Sequence, residues 1–115
     1  MLHEMKLFPK PFAAVKSGRK TVELRLCDEK RQMIAAGDTI RFTNTADGET
    51  LEAEVIALHR FGSFRALYAA LPLDKCGYSP EELSAAAPED MNAYYSPEQQ
   101  AQYGALGIEI KVFSR

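Results

Sequence analysis

Lys20, Glu23 and Arg25 are the side chains of this chain whose types and spacing best suit them to act together. They sit in the stretch Ser17-Gly18-Arg19-Lys20-Thr21-Val22-Glu23-Leu24-Arg25-Leu26. A lysine is a compact charge with three donors, suited to a phosphate or a carbonyl oxygen. An arginine adds a planar fork that grips phosphate through two bonds or stacks on a base. A carboxylate beside two cations stays ionised. Glu23 therefore either fixes its neighbours in place or accepts a hydrogen bond from an amino group. If the same three residues faced open solvent, they would be an ion-pair row contributing at most about 1 kcal/mol.

The elements around them follow from pattern. Thr21 to Leu26 alternates as a strand, with Val22, Leu24 and Leu26 on one face and Thr21, Glu23 and Arg25 on the other. Met5, Leu7 and Phe8 suggest a short opening strand, ended by Pro9-Lys10-Pro11. Phe12, Val15 and Lys16 then follow at helical spacing, with proline in the first turn and Gly18 beyond the end. Asp28-Glu29-Lys30-Arg31 is a polar turn or short helix, Thr39 to Thr43 a strand, and Asn44 to Thr50 a hairpin loop around Asp47-Gly48. In the return strand, Leu51 to Leu58, the second alternating set (Glu52, Glu54, Ile56, Leu58) turns apolar towards its end. Ser63 is placed to cap a helix over Phe64 to Leu71, and Ser79-Pro80-Glu81-Glu82 and Ser96-Pro97-Glu98-Gln99 look like two more helix starts. Leu106 to Phe113 closes the chain as a strand. About five strands with helices inserted between them predict a small α+β barrel or half-open barrel.

Composition sets outer limits. A chain of 115 residues, 46% hydrophobic and 26% charged, fits one globular domain spanning residues 1–115. It has no apolar run of membrane-spanning length and no apolar leader near the N-terminus, so the expected compartment is the cytoplasm, with no membrane partner. Cys27 and Cys76 stand alone, as do His3 and His59, which predicts structural thiols and no metal or other cofactor. The net charge of −2 hides an asymmetry. Met1 to Arg31 carries eight Lys/Arg against four Asp/Glu, while Asp74 to Glu109 carries seven Asp/Glu against Lys75 alone. A phosphate-bearing ligand would approach the first region and be repelled by the second, unless both are ordinary solvated faces.

Gly18-Arg19-Lys20-Thr21-Val22-Glu23-Leu24-Arg25 resembles the GxKxxExR signature of the ASCH domain family, related to the PUA-like RNA-binding folds. The helix before Gly18, the Gly37-Asp38 turn leading into a strand and the closing strand are similar too, so the resemblance covers most of the chain. It implies a PUA-like mixed β-barrel with a cleft beside the motif that binds RNA or a modified nucleoside. Some small members hydrolyse acetylcytidine through what looks like a Thr–Lys–Glu arrangement. Lys20 matches the lysine of that pattern, but Glu23 stands at the nucleophilic threonine, and a carboxylate cannot replace that hydroxyl. Thr21 lies one residue pair away. Another branch is linked to ribonuclease activity.

A second constellation is Asp90-Met91-Asn92-Ala93-Tyr94-Tyr95-Ser96, followed by Tyr103. Tyr95 is a candidate for stacking on a base and Asn92 for reading a base edge. Tyr94 or Tyr103 can instead anchor the C-terminal helices, hydroxyl outward. His59-Arg60-Phe61-Gly62-Ser63, between a strand and a helix, offers amides for an anion or simply a helix cap. Three functions remain open. The first is a module binding RNA or a nucleotide through Lys20, Glu23 and Arg25. The second is a hydrolase of a modified nucleoside or RNA using Lys20 and Glu23. The third is a protein-interaction domain whose motif braces the barrel.

Overall fold

The computed structural model describes residues 1–113. Strand β1 (Leu2–Leu7) leads into helix α1 (Pro9–Lys16), then β2 (Val22–Leu26), β3 (Thr39–Asn44) and β4 (Thr50–Phe61). Helix α2 (Phe64–Ala70), two short 3-10 turns (Leu83–Ala85 and Pro88–Ala93), α3 (Pro97–Tyr103) and β5 (Ala105–Val112) complete the chain. The strands form one mixed sheet in the order β1-β3-β4-β5-β2, parallel only between β1 and β3. The sheet curls into a half-barrel with helices between its strands, so β1 and β2 are its two open rims.

One core fills the concave side. Met5, Leu7, Phe12, Val15, Cys27, Ile40, Phe42, Val55, Leu106 and Ile108 belong to it, so α1 plugs the barrel with Phe12 and Val15. A second cluster covers the convex side, where Leu26, Phe64, Leu67, Met91 and Ala105 join α2 and the 3-10 segment to β2 and β5. Strand alternation then assigns faces on β2. Leu24 and Leu26 point outward into the second cluster, while Glu23, Arg25 and Cys27 share the inward face.

Local chemistry explains most boundaries. Ser63 Oγ accepts from the Ala66 N–H and caps α2, and Ser96 and Gln99 form a reciprocal box at the start of α3. Asn44 Oδ1 and Asp47 Oδ1 accept from Ala46 and Glu49 N–H and hold the β3–β4 hairpin, with Gly48 at φ +77°. In β4, a register irregularity between Val55 and Ala57 shifts the alternation, leaving Ile56 exposed and pairing Leu58 with Ile108 over the inner core. The late apolar turn of the second alternating set is this bulge.

Two expectations need correction. Ser79-Pro80-Glu81-Glu82 starts no α-helix. Glu82 Oε1 accepts from the Ser79 N–H, but the following residues, with Leu83 exposed, have no apolar stripe to bury, and the chain continues as turns and short 3-10 segments. His59, Arg60 and Phe61 do not follow β4; they belong to it, because they go on pairing with Gly107, Leu106 and Ala105. The loop after α2 returns to β2, where the Lys75 carbonyl accepts from both Thr21 and Val22 N–H.

Candidate functional site

Strand β2 brings the three charged residues of the motif together by its two-residue period, with Lys20 entering from the turn before it. Lys20 Nζ lies 2.6 Å from Glu23 Oε1, and Arg25 Nε donates to Glu23 Oε2 at 2.7 Å. Glu23 is only 3% exposed. Burial pushes its carboxyl upward, but the charges on Lys20 and Arg25 and their hydrogen bonds outweigh it, and the pKa lies below the usual glutamate value. Arg25 Nη2 also donates to the Lys6 carbonyl, so the guanidinium bridges the two rims of the half-barrel.

The triad lies against a hollow of about 410 Å³, a size typical of small-ligand sites. Lys20, Glu23, Leu24 and Arg25 are all in its lining, which therefore takes residues from both faces of β2 and runs along that strand's free edge. The N-terminal stretch adds Lys6, Phe8, Lys10 and Arg19, and the later segment adds Tyr68, Cys76, Tyr78, Asp90, Tyr94 and Tyr95. Five cationic side chains and three carboxylates line it in all, so the hollow is net positive. The basic N-terminal region and the acidic later region, opposed along the sequence, meet here. Lys10 Nζ donates to Glu82 Oε2 at 3.1 Å across that seam.

The aromatic side is built by α2 and the irregular segment after it. Tyr68 and Tyr78 meet edge to face with ring centroids 5.9 Å apart, and their hydroxyls are 2.6 Å apart. Tyr78 Oη donates to Asp90 Oδ2 at 2.7 Å. Burial, with these hydroxyl contacts, pushes the Tyr78 phenol far above its ordinary value. Gly77, at φ +111°, packs its backbone against Lys20, where an added Cβ would come within 3.1 Å of Lys20 Cδ. Arg19 Nη1 donates to the Gly77 carbonyl at 3.3 Å. The loop bearing Tyr78 is thus tied to the turn bearing Lys20.

Of the residues singled out by sequence, Lys20, Glu23, Arg25 and Tyr95 line the hollow and Asn92 does not. Asn92 Oδ1 instead accepts from Gln100 Nε2 at 2.8 Å, tying the 3-10 segment to α3. Tyr95 is half-buried and lies parallel to Phe64, centroids 6.2 Å apart, so one of its faces is covered. Tyr94 is 62% exposed at the rim, and Tyr103 is the anchor, donating from its hydroxyl to Glu29. Thr21 is absent from the lining; its N–H donates to Lys75 and its carbonyl accepts from Ile110. Among the described residues no cluster of three His, Cys, Asp or Glu is arranged to hold a metal ion. Sequence reasoning missed Tyr68, Tyr78 and Phe8 as site residues, and named Asp90 in the second constellation without giving it a role. The available signal was the crowding of four of the five tyrosines into residues 68–95.

Comparisons with known proteins identify the family and the fold. The family model for the ASCH domain matches residues 5–114. The hypothetical protein PH0355 has a similar crystal structure, with 29% identity, a TM-score of 0.81, and coverage of 98% of this chain and 100% of that one. Protein PF0455 from Pyrococcus furiosus, solved by NMR, is also 29% identical, with a TM-score of 0.74 and full coverage of both chains. A point mutant of ZmASCH from Zymomonas mobilis shares the fold at 18% identity and a TM-score of 0.67, covering 96% of this chain and 68% of that one. No curated protein matches the chain.

Proposed function

This chain belongs to the ASCH domain family, a PUA-like family proposed to bind RNA, and on that premise we propose that it is a binding module taking a nucleotide, free or within single-stranded RNA, into the hollow along β2. The observation that most supports this reading is the make-up of the hollow: net-positive, donor-rich side chains and tyrosines together line about 410 Å³. Lysine with three donors and arginine with five keep spare N–H groups after satisfying Glu23 and the Lys6 carbonyl. Phosphate and carbonyl oxygens suit those groups, and a base ring suits the aromatic side. Phe8 and Tyr94, 61% and 62% exposed at the rim, give neighbouring bases a surface to stack on, at about 1–3 kcal/mol each.

The test uses fluorescence anisotropy with a short single-stranded RNA at two salt concentrations. Lys6→Ala and Tyr94→Ser are the informative variants, because both side chains are exposed on the rim and their loss spares the core. Affinity should fall with salt, with a shallower slope for Lys6→Ala by about 0.7 log units per log unit of salt if one phosphate contact is lost. Tyr94→Ser should weaken binding without changing the slope. A signal that ignores salt and both substitutions would overturn the reading.

A further inference from the structure

A phenol carries one proton, and the Tyr68–Tyr78–Asp90 chain fixes where each one goes. Tyr78 donates to Asp90 Oδ2, so in the 2.6 Å contact between the two hydroxyls Tyr68 must be the donor. The bonds therefore run one way, from Tyr68 to Tyr78 to Asp90. No hydroxyl proton is left over for a ligand. What remains on this side is lone pairs, on the two phenol oxygens and on Asp90 Oδ1, since the Ala87 N–H also donates to Oδ2. At Glu23 the polarity is reversed. Both Glu23 oxygens accept from Lys20 and Arg25, and what remains there is N–H groups. The lining thus holds a donating group of residues on β2 and the turn before it, and an accepting group on α2 and the segment after it. The hydroxyls of Tyr94 and Tyr95 have no such fixed partner among the described residues. They turn to suit a ligand and do not discriminate.

We propose that the Tyr68–Tyr78–Asp90 chain is the specificity-determining wall of the site, accepting hydrogen bonds from the amino group of a nucleobase whose acceptor atoms face Lys20 and Arg25. The inference rests on the nucleotide reading above and sharpens it to amino-bearing bases over keto bases of the same size. A keto oxygen placed at this wall meets only lone pairs, and the unmatched polar atoms are costly to desolvate. Tyr78 is positioned for this by its loop, which packs at Gly77 against Lys20, and Asp90 by the 3-10 segment Pro88–Ala93.

The experiment is calorimetric titration with four nucleoside monophosphates in two isosteric pairs, adenine against hypoxanthine and cytosine against uracil. Wild type should prefer the amino member of each pair by about tenfold or more. Tyr78→Phe keeps the ring, removes the relay and frees the Tyr68 proton, so the preference should shrink towards parity with keto binding retained. Asp90→Asn supplies an N–H and should act the same way; melting curves for both variants verify that they fold. Equal affinities within each pair in wild type would overturn this inference and leave nucleotide binding standing. Equal weakening of both members in the variants would reduce the wall to a structural role and also overturn it. Failure of wild type to bind any of the four would defeat both this inference and the function it rests on.

Discussion

Glu23 makes the motif more than a surface ornament. An exposed ion-pair row contributes little, but this carboxylate is buried with both oxygens engaged. Removing it leaves Lys20 and Arg25 facing each other in a largely enclosed place. Glu23→Ala should therefore lower stability by about 3 kcal/mol or more, read from urea unfolding. The same site sets an acid dependence. The folded carboxyl binds its proton less readily than the unfolded one, so the unfolded state takes up more protons as pH falls. The stabilisation is complete above the ordinary value of 4.5 and is lost as pH drops through the lower folded value. Unfolding free energy measured against pH should decline below about 4.5, and the decline should be shallower in Glu23→Gln. A mutant as acid-sensitive as wild type would refute that assignment. The trio was legible in sequence because two-residue alternation places Glu23 and Arg25 together. Its burial was not legible, because it depends on α1, Lys6 and the Gly77 loop, all distant along the chain.

At the scale of elements, α2 matters because it carries Tyr68 next to the fully buried Leu67. Leu67→Ala should cost about 2–5 kcal/mol by chemical denaturation. It should also weaken ligand binding in the protein that remains folded, since the helix then holds Tyr68 less firmly; unchanged affinity would separate the helix from the site. Strand order shows where pattern reading stops. Alternation in Thr39 to Thr43 and the Asp47-Gly48 turn predicted the β3–β4 hairpin directly, and capping residues predicted α2 and α3. The pairing of β1 with β3 and of β2 with β5 joins segments far apart in the chain, and nothing local encodes it. The 79–93 segment misled because capping groups were present without a face to bury. Gly104 drew no reading of its own from the sequence. It sits at φ +74°, where an added Cβ would come within 2.6 Å of the Phe61 carbonyl oxygen, so it fixes the entry into β5.

For the whole molecule, the charge asymmetry along the sequence becomes an orientation in space. The basic first third and the acidic later segment border the same hollow, so the proposed nucleotide would meet a phosphate end and a base end there. The two packed clusters share β4 and β5, which predicts that the described residues unfold as one cooperative unit. Its free thiols provide the check. Cys27 and Cys76 are both buried, and burial, only partly opposed by Lys20, pushes the Cys76 thiol up to about 11. Both should resist a thiol reagent at neutral pH in the folded protein and become reactive together across a single denaturant transition. Separate transitions would divide the chain into two units.

The carbonyl of Lys75 has one more consequence. By holding the N–H groups of Thr21 and Val22, it denies incoming strands the first two rungs of a ladder, while Arg25 covers the Lys6 carbonyl on the opposite margin. An open sheet normally risks templating fibrils through such margins. Here the motif and the loop that shape the hollow also blunt both of them, so loosening that loop would invite aggregation as well as deform the hollow.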